Sequence, residues 1–166
     1  ASQNAYVPTT VITRSPTGGG QSYENVNMLT PYRKNAFQTD GTATDFQLDG
    51  DIDATGTVRA WVFGEETTAF TLDREKGIIK MTTAPAKPTA GSEDGLVVEF
   101  PHTVAGYTDR IDKCTIITTY GIGTNDRAVL SGNAELPNVD WTSGMNDPTY
   151  FPDLLYNEVG SEATAI

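Results

Sequence analysis

A chain of 166 residues can hold one ordinary domain or two small ones; 37% apolar content with 2 Trp, 7 Tyr and 6 Phe is lean but sufficient for a core. The net charge of −11 argues against nucleic acid and anionic membranes as partners, because holding a polyanion rests on Lys and Arg neutralising phosphates. No run approaches the roughly 18 apolar residues that a membrane-crossing helix needs.

The first residues, A-S-Q-N-A-Y-V-P, have neither a basic start nor an apolar stretch and do not read as a signal peptide. Residues 6–13, Y-V-P-T-T-V-I-T, predict one strand, with Pro8 at its entry. Ser15–Gln21 is a glycine-rich loop. It lacks the strand, Lys and helix context of a phosphate cradle. Residues 1–34 therefore read as an extended N-terminal segment.

From Asn35 the pattern changes to short strands at short spacing: 35–39, 45–48, 57–63, 69–72, 77–82 and 95–100. Turn pairs separate them, at Asp40-Gly41, Asp49-Gly50, Phe63-Gly64, Lys76-Gly77 and Ala90-Gly91. This punctuation predicts an antiparallel β-sandwich over 35–101. Tyr107–Lys113 predicts a single helical turn with Thr108 as N-cap. Residues 113–120 and 127–131 predict a hairpin, followed over 132–152 by an ordered loop pinned by Trp141 and Tyr150. Residues 102–166 thus form a hairpin plus aromatic loop. The closing A-T-A-I reads as a strand just starting, so the chain is expected to be a piece of something longer. The fold class is all-β with almost no helix.

Catalytic vocabulary is sparse. Cys114 is the single cysteine, so no internal disulfide forms, and C-T-I-I-T-T-Y reads as a buried strand with an inert thiol. His102, the one histidine, sits in F-P-H-T-V and reads as an exposed linker residue rather than the base of a triad. Asp49, Asp51 and Asp53 open like a calcium loop, but Ala54 and Ala60 occupy the Gly and Glu positions, so they read as a solvated turn. No two of the 22 acids stand out as a hydrolytic pair. No catalytic, cofactor or metal residues are expected. Trp141, Tyr150, Phe151 and Tyr156 are the candidate contacts, either packing their own loop or stacking on a partner or a sugar ring.

Charge is uneven. Residues 1–34 carry Arg14, Arg33 and Lys34 against Glu24, whereas from Ala128 onward there are six acids and no base.

The segments N-M-L-T-P-Y-R-K-N-A-F (27–37), D-G-T-A-T-D-F-Q-L-D (40–49), G-I-I-K-M-T-T-A-P (77–85), L-S-G-N-A-E-L-P-N-V-D-W (130–141) and N-D-P-T-Y-F-P-D (146–153) together resemble virion structural proteins of tailed bacteriophages, in particular long blade-repeat, stabilisation-type proteins. The F-x-x-D-G-T-x-T-x-F-x-L opening at Phe37 is similar to a β-sandwich module of phage tail and fibre proteins. The resemblance implies a sandwich flanked by propeller-like strands. It implies no catalytic residues, a place in the virion at neck or tail, and other virion proteins as partners within an oligomeric assembly. A carbohydrate-binding adhesin module for host-wall glycan is the rival expectation.

Overall fold

The computed structural model describes residues 4–89 and 94–160. Among the described residues strand makes up 44% and helix 4%, in three sheets with no closed barrel, so the protein is all-β and sandwich-like. The expected Ala90-Gly91 turn and the A-T-A-I end lie outside the described residues. Two compact units interleave in sequence: Pro8–Glu24 with Tyr32–Thr103, and the described parts of Ala1–Val7, Asn25–Pro31 and Val104–Ile166. The first 34 residues are therefore shared between the units instead of forming a segment of their own. Sequence-distant strand pairing causes this, since Thr9–Arg14 pairs with Tyr32–Phe37.

The first unit holds β1 (Thr9–Arg14), β2 (Gln21–Ser22), β3 (Tyr32–Phe37), β4 (Asp45–Gln47), β5 (Arg59–Val62), β6 (Glu65–Thr67), β7 (Phe70–Asp73), β8 (Ile78–Met81) and β9 (Leu96–Pro101). One sheet runs β2-β1-β3-β9-β5-β6 and the other β4-β8-β7. Period-2 alternation builds the core between them. Leu96, Val98 and Phe100 of β9 are fully buried and meet Phe37, Phe46, Leu48, Ile79 and Met81. The Phe37 and Phe46 rings meet edge-on at 5.3 Å, an arrangement that contributes about 0.5–1.5 kcal/mol beyond area burial. The sheets are not purely antiparallel: β1 runs parallel to β3, with two register shifts. A parallel neighbour needs a long connection, which residues 15–31 supply. The β5–β6 turn is Phe63-Gly64, both at positive φ (48° and 82°), as a tight two-residue hairpin turn requires.

The second unit holds α1 (Tyr107–Asp112), β10 (Ile116–Ile122), β11 (Asn125–Ser131), β12 (Val139–Thr142) and β13 (Tyr156–Glu158). The four strands form one sheet in chain order, every neighbouring pair antiparallel. The N-cap of α1 is Gly106 at φ 82°, with no side-chain cap bond, rather than Thr108. Val139–Thr142, expected within a loop, is a strand because Val139 and Trp141 alternate with Asp140 and place two apolar groups on one face. The core of this unit is Met28, Ile111, Ala128, Val139, Trp141 and Phe151.

Candidate interaction surface

Three turns of the second unit share one construction. Asn27 is fully buried: its Oδ1 accepts from the N–H groups of Leu29 (3.1 Å) and Phe151 (3.0 Å), and its Nδ2 donates to the carbonyls of Tyr6 and Thr149 (2.8 Å each). Asn133, 1% exposed, accepts from Glu135 N–H at 2.9 Å and donates to the carbonyls of Asp109 and Arg110. Asp147 accepts from Thr149 N–H at 2.8 Å and from the Thr149 hydroxyl at 2.6 Å. In each, a short side chain bonds the N–H two residues on, and a backbone bond closes the turn three residues on. Proline follows at Pro31, Pro137 and Pro152. The recurrence N-M-L-T-P, N-A-E-L-P and D-P-T-Y-F-P was the available sequence signal. Composition hid it, because Asn reads as exposed loop chemistry.

The four aromatic candidates do not share one face. Trp141 (3% exposed) and Phe151 (3%) are core. Trp141 carries the Tyr156 ring at 5.5 Å and the Arg110 guanidinium at 5.6 Å. Tyr150 straps the loop: its hydroxyl donates to the Asn25 carbonyl at 2.8 Å, and its ring lies 5.0 Å from Tyr6. Tyr156 alone presents a large exposed ring, at 44%. Trp141 Nε1, Ser131 Oγ and Asp140 Oδ1 are buried with no hydrogen-bond partner.

The remaining candidates resolve separately. Asp49 Oδ2 accepts from the Thr10 hydroxyl at 2.7 Å, Asp51 Oδ1 lies 2.9 Å from His102 Nδ1, and Asp53 accepts from the Thr103 N–H and hydroxyl. The three carboxylates thus turn to three different partners, and the stretch stays solvated at Asp51 and from Ala54 to Thr57. No group of three His, Cys, Asp or Glu side chains that could hold a metal occurs among the described residues. His102 is clipped to Asp51 rather than standing exposed in a linker; its Nδ1 also lies 2.9 Å from the Asp51 carbonyl. Cys114 follows α1 instead of lying in a strand. Its Sγ donates to the Arg110 carbonyl, and burial, aided by Asp140, pushes the thiol up to about 11, which keeps it protonated and unreactive at neutral pH.

What stands exposed is the β10–β11 hairpin. Ile117, Tyr120 and Ile122 are 69%, 58% and 90% exposed. The strands pair without a break from Ile116↔Ser131 to Ile122↔Asn125, around a two-residue turn that begins at Gly123 (φ 71°). The Asn146 side chain accepts from Asp126 N–H at 2.8 Å, and Asn146 N–H donates to the Asp126 carbonyl at 2.7 Å, which ties the 144–148 turn to the hairpin. The chain matches no protein-family model, no curated protein and no solved structure.

Proposed function

We propose that this protein is a non-enzymatic structural component of a tailed-phage virion, at the neck or tail, that works through contacts with other virion proteins. The observation that carries this reading is the β10-β11-β12-β13 meander, four consecutive antiparallel strands in chain order. That is the topology of one propeller blade, the element that the resemblance of the 130–153 motifs implies. The connections around the sheet are built to be rigid: buried Asn27 and Asn133 satisfy backbone groups on both sides of each turn.

The adhesin alternative needs an exposed aromatic platform beside polar groups. Burial of Trp141 and Phe151 and the strapping of Tyr150 count against it. Purified particles of the phage that encodes the chain test the proposal, by mass spectrometry of the particle and a cryo-EM map. The chain is expected in the map at the neck or tail. Its absence from the particle, or hydrolysis of purified wall glycan by the isolated protein, would overturn the reading.

A further inference from the structure

The outer strand β10, I-I-T-T-Y-G-I, is a sheet edge with which no strand pairs among the described residues. Natural sheets protect edges with Lys, Pro, bulges or short strands. β10 has seven residues, no charge and no proline, and its register with β11 carries no bulge. Its outer side offers a row of N–H and C=O groups beside three exposed large apolar side chains.

A second feature lies next to this edge. A cavity of about 250 Å³ is lined by Thr119 of β10 with Asp126, Arg127, Ser143 and Asp147. The Asp126 carboxylate lies over β10 itself: a Cβ added at Gly121 would sit 2.2 Å from Asp126 Oδ1. The one guanidinium is turned aside, with Arg127 Nη1 donating to the Ser143 carbonyl at 2.7 Å. Two acids thus line the cavity beside one cation, with the Asp147 Oδ1 already held by the Thr149 N–H and hydroxyl and the Arg127 guanidinium held by Ser143. In strand addition the main chain supplies affinity, and pockets for alternate side chains supply choice of partner. With two acids to one base, a largely apolar lining that ends in Asp126 favours a long side chain with a basic tip.

We propose that the β10 edge takes an added strand from a protein partner: an extended segment rich in β-branched residues, with a Lys or Arg entering the Asp126–Asp147 pocket. This rests on the reading that the protein works through protein contacts. A second copy of the chain fits less well, because each copy carries a net charge of −11 and pairing β10 with β10 would bring carboxylates toward carboxylates.

The test uses the full chain and the synthetic peptides Thr-Val-Thr-Lys-Thr-Val-Thr and Thr-Val-Thr-Glu-Thr-Val-Thr at about 1 mM, the range of weak strand addition. Amide exchange is read along Ile116–Ile122. The Lys peptide is expected to slow exchange of the outward-facing β10 amides about twofold at 1 mM and further as its concentration rises, and the Glu peptide to do so far less. Asp126→Lys, at an exposed position, is expected to reverse that preference with the hairpin spectrum intact. Equal effects of the two peptides, or no protection by either, would overturn the proposal. Protection that rises with protein concentration and without peptide would assign the edge to a second copy and overturn it as well. None of these results places the chain in or out of the particle, so strand addition can fail while the virion role stands. Absence from purified particles sinks that role by itself.

Discussion

Replacing Trp141 with Ala tests whether the second unit is a packed scaffold. The ring is 3% exposed among Met28, Ile111, Ala128, Val139 and Phe151, pairs across the sheet with Leu130, and is covered by Tyr156 and Arg110. Removing a buried Trp costs about 3–5 kcal/mol from lost transfer energy and the cavity left behind. One term runs the other way. Trp141 Nε1 is buried without an acceptor, and an unmet donor of this kind carries a penalty of roughly 1–3 kcal/mol that truncation removes. The expected net loss is therefore about 2 kcal/mol, below the uncorrected range. Trp141→Phe keeps most of the ring area and removes the orphan N–H, so it is expected to cost less than about 1.5 kcal/mol. Urea unfolding, with amide exchange at Ala128 and Leu130 to localise the effect, measures both. A loss under about 1 kcal/mol for Trp141→Ala would refute the packing argument, and with lost glycan binding it would favour the adhesin reading. A Phe variant as damaged as the Ala variant would show that the N–H is engaged.

Asn27→Ala strips partners from two N–H groups and two carbonyls at once, and at roughly 1 kcal/mol or more for each group that water cannot reach it is expected to cost about 3 kcal/mol in thermal or urea unfolding. Calcium and chelator are expected to leave the melting temperature unchanged, because Asp49, Asp51 and Asp53 point to separate partners; a calcium-dependent rise of several degrees would contradict this. Cys114 is expected to react slowly with a disulfide reagent at pH 8 and fast once unfolded. Since the folded thiol titrates near 11 and an unfolded one near 8.5, the native state holds its proton longer, and this group lowers stability as pH rises between the two values; Cys114→Ser should flatten that alkaline slope. The isolated chain is expected to sediment as a monomer near physiological salt, given its charge of −11, and a stable multimer would show that assembly resides in these residues alone.

Elements whose burial alternates with period 2 were legible in the sequence. β9 shows it most plainly, with Leu96, Val98 and Phe100 inward and Val97 and Glu99 between. The β10–β11 hairpin was legible from its glycine punctuation instead, since β10 buries no residue; its strands run on to a two-residue turn where 121–126 was expected as the connection. β6 (E-E-T) and β13 (Y-N-E) were not legible, since neither buries a residue and each is held by backbone pairing plus one cross-strand side-chain contact, Arg59–Glu66 and Trp141–Tyr156. β12 was hidden because four residues span only two periods, and the flanking Asn, Pro and Gly residues signal loop. The parallel β1–β3 pair depends on a partner more than twenty positions away, which no local pattern encodes. The aromatic residues were recognisable as anchors. Their division into core (Trp141, Phe151), strap (Tyr150) and surface (Tyr156) depends on which sheet face each one meets, and that is fixed by register.

The buried amides explain why so polar a segment is ordered. A turn that packs inward carries N–H and C=O groups that water cannot reach, and each must find a partner. An apolar side chain cannot supply one, and a charged one would bring its own desolvation cost. A neutral Asn has both a donor and an acceptor on one short arm. At position 27 it joins three separate stretches, Tyr6, Leu29 and Thr149–Phe151, through four bonds. Such a clip fixes loop geometry without a cleft, a nucleophile or a titrating group near neutrality. Rigid turns behind a regular, uncharged outer strand hold that strand in position ahead of any encounter. Little ordering is then left to the moment of binding, which is the condition under which a short added strand binds at useful strength.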